Sequence, residues 1–144
     1  MQANRLYALA ISIVAKAFKD KLDKGGQPYF LHCMRVAEKQ TTITRKIIGM
    51  LHDLVEDTNW EFEDLEKKGF GLSIIVPLKL LTHDNVAQTY EEYIDAISTN
   101  EDARAVKLAD LEDNSQITRL KGLTKADFAR VEKYHKAYVY LSKV

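Results

Sequence analysis

The sequence has little of what builds disulfide-linked, β-rich or membrane-spanning proteins. Its 144 residues include two prolines, six glycines and one cysteine. One cysteine cannot form an internal disulfide, which fits a reducing compartment. No apolar run approaches the roughly 20 residues needed to cross a bilayer, and no strand-length segment alternates with a period of two. These absences predict a cytoplasmic, helical protein that does not enter a membrane.

Charge of one sign is also lacking. Lys and Arg number 21, Asp and Glu number 21, and the formal net charge is zero. The basic surplus that accompanies non-specific nucleic-acid binding is therefore missing, and we expect no nucleic-acid partner. The length fits one domain, residues 1–144. Neither composition nor pattern indicates an oligomeric state.

The N-terminal segment has two interpretations. Residues 6–18 are mostly apolar and follow Arg5, and the triplet Ala15-Lys16-Ala17 faintly resembles a signal-peptide cleavage site. The alternative is an amphipathic helix, because the apolar residues recur at helical spacing and Lys16 lies inside the stretch that a signal peptide keeps apolar. We favour the helix.

Helical patterns follow one another along the whole chain. They predict an all-α fold, a compact domain of about seven or eight helices. The expected helices cover about 3–18, 28–40, 43–57, a short segment that ends near 69, 72–81 with an interruption at Pro77, 89–97, 101–114, and a last segment after Thr124.

Polar residues mark several expected helix starts. Thr58 with Glu61 and Thr89 with Glu92 have the spacing of capping boxes, and Thr124 is expected to cap the last helix. That helix is expected to bury five residues: Phe128, Val131, Tyr134, Tyr138 and Leu141.

Ionisable residues interrupt apolar helical segments at four places. These are His32, the pair His52-Asp53, the pair Glu56-Asp57, and Asp110. The two middle pairs are four residues apart, so their side chains share one strip of a helix. Burying such groups without partners is costly, and a metal ion neutralises carboxylates there. Imidazole and carboxylate ligands together suit Mn, Fe, Zn or Co.

Each of these groups also has an ordinary explanation when it is taken alone. A His-Asp neighbour pair is commonly just hydrogen-bonded, Glu56-Asp57 can be a solvated helix end, and Asp110 can pair with Lys107 one turn away. The order and the apolar surroundings of all four groups together favour a metal site.

The order of these residues resembles the HD superfamily of metal-dependent phosphohydrolases. Within it, the sequence is most similar to the hydrolase domain of RelA/SpoT-type enzymes and to stand-alone small alarmone (ppGpp) hydrolases. The most diagnostic match is the block His52-Asp53-Leu54-Val55-Glu56-Asp57-Thr58. The other matching segments are 26–32, Leu81-Thr82, and 105–110 together with Asn114.

The resemblance implies an activity and a cofactor. The activity is hydrolysis of guanosine 3′,5′-bis(diphosphate) with release of pyrophosphate, and the cofactor is a divalent metal, Mn²⁺. The implied ligands are His32, His52, Asp53 and Asp110. Glu56 and Asp57 would orient and deprotonate the attacking water, and which of the two is the base stays open.

The resemblance and the pattern also suggest residues that bind the nucleotide substrate. Asn114 and, more loosely, the loop residues Lys21 and Lys24 match nucleotide-contacting positions of the family. Lys107 shares a helix face with Asp110 and Asn114. Further candidates to line the pocket are Tyr90, Tyr93 and Arg104, and for the tyrosines the alternative is packing on the core.

The sequence departs from the family at two places. Cys33 stands where the family usually has proline, which we expect to alter only the start of the helix. Glu112 and Asp113 replace a more basic stretch, and two acids near a polyphosphate disfavour its binding unless they face away. A second pair, His83-Asp84, lacks the downstream acids and is expected at the surface or the pocket rim.

Two other functions remain in view. One is a different HD nucleotide phosphohydrolase, such as a nucleoside monophosphate phosphatase, which would share the four ligands. The other is a non-catalytic binding module with the HD fold. The intact Glu56-Asp57 pair is evidence against the module, since binding alone does not need it.

Overall fold

Helices make up the regular structure. The computed structural model describes residues 2–144, where the only β-type pairing is one isolated bridge between Leu22 and Pro28. The helices are α1 Gln2–Ala17, α2 Phe30–Glu38, α3 Ile43–Leu51, α4 Leu54–Asp57, α5 Phe62–Lys67, α6 Leu72–Leu81, α7 Tyr90–Ser98, α8 Glu101–Asn114 and α9 Lys125–Ser142, with a 3-10 turn at Ile117–Arg119. Eight of the α-helices described have six residues or more. The predicted all-α class and helix number are confirmed.

Helix α3 lies at the centre of the bundle. It packs against α1, α2, α6 and α8, and its apolar residues Ile47, Ile48, Met50 and Leu51 are buried. A Cβ atom on Gly49 would lie 3.0 Å from the Cα atom of Ala37. The absence of a side chain at Gly49 therefore lets α2 and α3 approach closely, which matters because His32 belongs to α2 and His52 directly follows α3.

The third helix is shorter than predicted. We expected one helix over 43–57, but α3 ends at Leu51 and a turn at His52-Asp53 separates it from α4. The Nδ1 atom of His52 lies 2.6 Å from the Gly49 carbonyl oxygen. That carbonyl is the one residue 53 would use in a continuing helix, so the histidine ring competes with the helical hydrogen bond. The break places two potential ligands at a helix end.

The predicted capping box at Thr58 and Glu61 is wrong. Glu61 itself caps α5, in a reciprocal box with Asp64. The Thr58 hydroxyl instead donates to the Leu54 carbonyl at 2.6 Å and so closes the preceding helix. The three-residue spacing of a capping box is therefore found further along the chain, between Glu61 and Asp64.

The other predicted caps are confirmed. Thr89 and Glu92 form a capping box at the start of α7. Thr124 and Asp127 do the same for α9. Helix α6 continues through Pro77, which is buried together with Ile75 and Leu78, so the expected interruption does not occur.

Helix α9 buries less than predicted. Leu141 is buried as expected, together with Ala137, and Val131 and Tyr134 are partly buried. Phe128 is 60% exposed and Tyr138 is 36% exposed. Helix α9 packs against α8 and α7 along one side. The apolar residues of its sequence predicted a wider buried face than this packing provides.

The N-terminal segment forms the expected amphipathic helix. Ala10, Ile13 and Val14 of α1 are buried, and the helix packs against α3. None of the helices in residues 2–144 combines the length and the apolar character needed to span a membrane.

Candidate metal centre

Four side chains converge between α2, α3 and α8. His32 belongs to α2, His52 and Asp53 form the turn after α3, and Asp110 belongs to α8. One potential ligand atom from each residue lies within 4.8 Å of the others. His32, His52 and Asp110 are each less than 5% exposed. Residues widely separated in sequence thus come together in the interior, as the sequence pattern had suggested.

Both imidazole rings are held by their Nδ1 atoms. The Nδ1 atom of His32 lies 2.6 Å from a carboxylate oxygen of Asp113, and that of His52 lies 2.6 Å from the Gly49 carbonyl oxygen. Both partners are acceptors, so each Nδ1 carries the proton and donates it. Each Nε2 atom therefore faces the cluster, and it offers a lone pair to a cation when the ring is neutral.

The Nε2 atoms face the two carboxylates. His52 Nε2 lies 3.1 Å from an oxygen of Asp53 and 3.2 Å from an oxygen of Asp110. His32 Nε2 lies 3.0 Å from the same Asp110 oxygen, yet it is buried without a properly oriented hydrogen-bond partner. A buried polar atom without a partner is costly unless something else satisfies it.

The donor set fits a divalent cation. Two neutral imidazole nitrogens and two carboxylate oxygens are ligands that Mn, Fe, Zn and Co accept. A cation between them would satisfy the His32 Nε2 atom and offset the negative charge of Asp53 and Asp110. Within residues 2–144 this is the only group of at least three such side chains with that geometry.

Neighbouring residues keep the two carboxylates ionised and oriented. Burial raises the pKa of Asp110, but the Lys107 ammonium at 2.9 Å and the nearby His52 outweigh burial and hold that pKa well below its usual range. The Tyr29 hydroxyl donates to Asp53 at 2.6 Å. Burial and the Asp53 charge both raise the pKa of Tyr29, so the phenol stays protonated and remains a donor.

We expect metal binding to depend steeply on pH. Burial lowers the pKa of His52, but Asp53 and Asp110 outweigh burial and raise it to about 10, and the pKa of His32 is also raised. Without a cation the His52 ring therefore holds a second proton at neutral pH, and a cation must displace it. Mn²⁺ affinity should rise between pH 6 and 8 with proton release, measured by calorimetry in buffers of different ionisation enthalpy. An affinity independent of pH would contradict this protonation scheme.

The two acids after the cluster lie in different settings. Glu56 Oε1 accepts a hydrogen bond from the backbone N–H of His83 at 2.7 Å. Asp57 instead accepts from the Lys21 ammonium at 3.2 Å. Desolvation, together with the negative charges of Asp53 and Asp57, raises the pKa of Glu56 although its backbone hydrogen bond opposes the shift. The raised pKa of Glu56 moves this carboxylate toward the range in which a general base works at neutral pH.

The predicted substrate residues on the loop and on α8 differ in their surroundings. Lys21 is next to the acid pair, through Asp57, and its ammonium also lies 4.2 Å from the centre of the Tyr29 ring. Lys24 is exposed in the same loop. The exposed Asn114 donates to Asp110 at 3.0 Å, and Lys107 pairs with the same carboxylate.

The remaining predicted substrate residues belong to α7 and α8. The Tyr90 hydroxyl is buried without a hydrogen-bond partner. Tyr93 is 4% exposed and its hydroxyl donates to the Leu81 carbonyl, which favours the core-packing alternative for this residue. Arg104 donates to the Ser98 carbonyl at the end of α7, a helix end outside the four-residue cluster.

The sequence did not identify three residues that surround His32, namely Asp113, Arg35 and Arg119. Asp113 is buried and holds the His32 ring, and it accepts hydrogen bonds from Arg35 and Arg119. Its spacing of three residues from Asp110 places both acids on one face of α8, which was the available signal. The repulsion that Glu112 and Asp113 would exert on a polyphosphate is reduced. Arginines neutralise Asp113, and the exposed Glu112 pairs with Lys39.

The remaining features lie where the sequence suggested. His83 is half-buried at the edge of the site, its ring stacked on Tyr93 with the centroids 4.5 Å apart. Asp84 accepts two backbone hydrogen bonds from its own loop. Cys33 is fully buried, and burial raises the pKa of its thiol, so it is a packed side chain.

Comparison with known proteins identifies the fold. No protein-family model matches the chain. Solved structures do match, and the likeness is one of fold, that of an HD-type all-helical domain. One of them is the structure of a metazoan ortholog of SpoT, described as hydrolysing ppGpp and as playing a role in starvation responses. It superposes with a TM-score of 0.78 over 94% of this chain and 84% of that chain, at 24% sequence identity.

Proposed function

We propose that this protein is a metal-dependent phosphohydrolase that hydrolyses guanosine 3′,5′-bis(diphosphate) and releases its 3′-pyrophosphate. The observation that carries the proposal is the buried cluster of His32, His52, Asp53 and Asp110, with the acid pair Glu56-Asp57 one turn away. Support for the substrate comes from the fold, which is shared with a solved ppGpp hydrolase, and from the resemblance of the sequence around His52.

The four clustered side chains would hold one divalent cation, which we propose to be Mn²⁺. When bound, such a cation polarises a phosphoryl oxygen and lowers the pKa of a coordinated water. Asp113 and Gly49 fix the imidazole rings, while Lys107 and Tyr29 fix the carboxylates. The chain thus presents its ligands already oriented, so that little reorganisation accompanies binding.

We assign Glu56 as the general base. A base works best when its pKa approaches the operating pH, and the raised pKa of Glu56 moves it in that direction. One carboxylate oxygen is fixed by the His83 backbone N–H, which leaves the other to take the proton of the attacking water. Asp57 is engaged with Lys21 and is suited to positioning.

Cationic and amide side chains near the acid pair would bind the nucleotide. Lys21 and Lys24 can attract the phosphates from the loop before α2, and the exposed amide of Asn114 can contact the nucleotide close to Asp110. We propose Lys107, Tyr90, Tyr93 and Arg104 as further contributors from α7 and α8. Lys107 is the best placed of these four, because its ammonium is already at the cluster.

We further propose that residues 1–144 act as one domain in the cytoplasm. The buried side chains form one hydrophobic cluster that draws on α1 through α9, and Cys33 is a free thiol. The substrate would be a small nucleotide, and the balanced charge favours neither nucleic acid nor a membrane surface as partner.

A nucleotide panel with product identification tests the proposal. Purified protein with Mn²⁺ is incubated with guanosine 3′,5′-bis(diphosphate), GTP, GMP and AMP, and products are resolved by ³¹P NMR. We expect pyrophosphate and guanosine 5′-diphosphate from the first compound only. Inorganic phosphate from the monophosphates would indicate a different HD phosphohydrolase. Stoichiometric Mn²⁺ without cleavage of any nucleotide would indicate a binding module.

A further inference from the structure

We propose that Asp113 is a positioning residue of the metal centre: it holds the proton of His32 on Nδ1 and thereby aims the Nε2 lone pair at the cation. This inference rests on the proposed metal site. It concerns a residue outside the four ligands, on the side of His32 that faces away from them.

The geometry around Asp113 is that of a buried, fully occupied carboxylate. The residue is 2% exposed. One oxygen accepts from Arg35 Nε at 2.8 Å. The other lies 2.6 Å from His32 Nδ1 and also accepts from Arg35 Nη2 at 3.1 Å and Arg119 Nη2 at 3.3 Å. Three elements of the fold meet at this carboxylate: α2, α8 and the 3-10 turn.

The two arginines determine what Asp113 can do. Two guanidinium groups stabilise the carboxylate as an anion and fix the direction of both oxygens. An anionic carboxylate has no proton to donate, so the hydrogen bond to His32 must use the ring's own Nδ1 proton. A neutral ring with its proton on Nδ1 has a free lone pair on Nε2, the atom that faces Asp53 and Asp110.

The two histidines are supported unequally. His52 donates to a neutral backbone carbonyl, that of Gly49, whereas His32 donates to an anion. A carboxylate partner makes an imidazole a more basic ligand than a carbonyl partner does, and such outer partners alter metal affinity about 10- to 100-fold. The His32 support depends on a side chain, so it can be removed by substitution.

The decisive variant is Asp113→Asn, which keeps the size of the side chain but adds an amide N–H. When the Asn oxygen faces Arg35, the amide donates to His32 Nδ1 and forces the proton onto Nε2. We expect Mn²⁺ affinity, measured by calorimetry on chelator-treated protein, to fall about 10- to 100-fold. The matched control is Glu112→Gln, the neighbouring acid that pairs with Lys39 on the surface, and its affinity should stay within about twofold of wild type.

A second variant separates positioning from a merely structural ion pair. Arg35→Gln removes the guanidinium that links Asp113 to α2, but leaves the His32–Asp113 contact and Arg119. If Asp113 positions the His32 ring, Arg35→Gln should lose much less Mn²⁺ affinity than Asp113→Asn. This should hold whatever the melting temperatures of the two variants in EDTA. Equal losses in the two variants, or an Asp113→Asn affinity within about twofold of wild type, would overturn the proposal.

Wild-type protein gives a test that does not depend on a variant folding. In Zn²⁺-loaded protein, ¹⁵N-edited NMR of the imidazoles should show the His32 proton on Nδ1, further downfield than that of His52. A His32 proton on Nε2 would refute the positioning role. If wild-type protein bound neither Mn²⁺ nor Zn²⁺, the proposed metal site would fall as well, which distinguishes that failure from the failure of this inference alone.

Discussion

Glu56→Gln is expected to lower kcat by about 10²- to 10⁴-fold, the usual contribution of a general base. The amide keeps the shape of the side chain and can still accept from the His83 backbone N–H, but it cannot take a proton from water. Glu56 is not among the four clustered ligands. Turnover should therefore be lost while Mn²⁺ affinity remains close to that of wild type.

Steady-state kinetics and Mn²⁺ calorimetry on the same preparation check this prediction. The matched control is Glu66→Gln, an exposed acid on α5, for which both quantities should be unchanged. If Glu56→Gln retained turnover while Asp57→Asn lost it, the base would be Asp57. If Glu56→Gln lost Mn²⁺ together with turnover, Glu56 would be a ligand rather than the base.

Asp53→Ala is expected to abolish measurable Mn²⁺ binding and, with it, all turnover. Asp53 supplies an oxygen that lies beside both histidines, 3.1 Å from His52 Nε2 and 3.5 Å from His32 Nε2. Loss of a second-layer partner already costs about 10- to 100-fold in metal affinity, so loss of a direct ligand should exceed that range. The remaining ligands would be two imidazoles and one carboxylate that is already paired with Lys107.

The loss of binding in Asp53→Ala should not reflect unfolding. Asp53 is at a helix break and its side chain is 17% exposed, so circular dichroism of the metal-free variant should match that of wild type. The companion Asp53→Asn keeps an oxygen at the same place and should bind Mn²⁺ more weakly than wild type but more tightly than Asp53→Ala. Equal Mn²⁺ occupancy in wild type and Asp53→Ala would refute the ligand assignment.

Much of the site could be predicted because its ionisable residues interrupt apolar helices. His32, His52 and Asp110 each follow or interrupt an apolar stretch of the sequence, and an ionisable group that is buried there demands a partner. Since helical periodicity shows which side chains face inward, the pattern predicted that residues far apart in sequence meet at one buried site. The all-α class followed from the same periodicity, and α8 begins and ends at the predicted residues.

The rest depends on contacts between helices, which periodicity does not describe. The break at His52-Asp53 arises from a histidine side chain that bonds to its own helix backbone. The role of Asp113 required knowing that α8 faces His32 and Arg35 on α2. Local signals also misplaced the cap at Thr58 and overstated the burial of Phe128, because tertiary packing decides such positions.

The different surroundings of Glu56 and Asp57 illustrate the same limit. Neighbouring acids at a helix end look interchangeable in a sequence, since both are one turn from a potential ligand. The structure distinguishes them by long-range partners, the His83 backbone for one and Lys21 for the other. The assignment of a base therefore needed the loop contacts as well as the motif.

The most direct measurement of the central claim is a crystal structure of the protein grown with Mn²⁺, with diffraction data collected at the manganese absorption edge. We predict one anomalous peak, enclosed by His32 Nε2, His52 Nε2 and carboxylate oxygens of Asp53 and Asp110. A peak elsewhere on the protein, or no peak while any of these four side chains turns away from the others, would contradict the proposed metal centre.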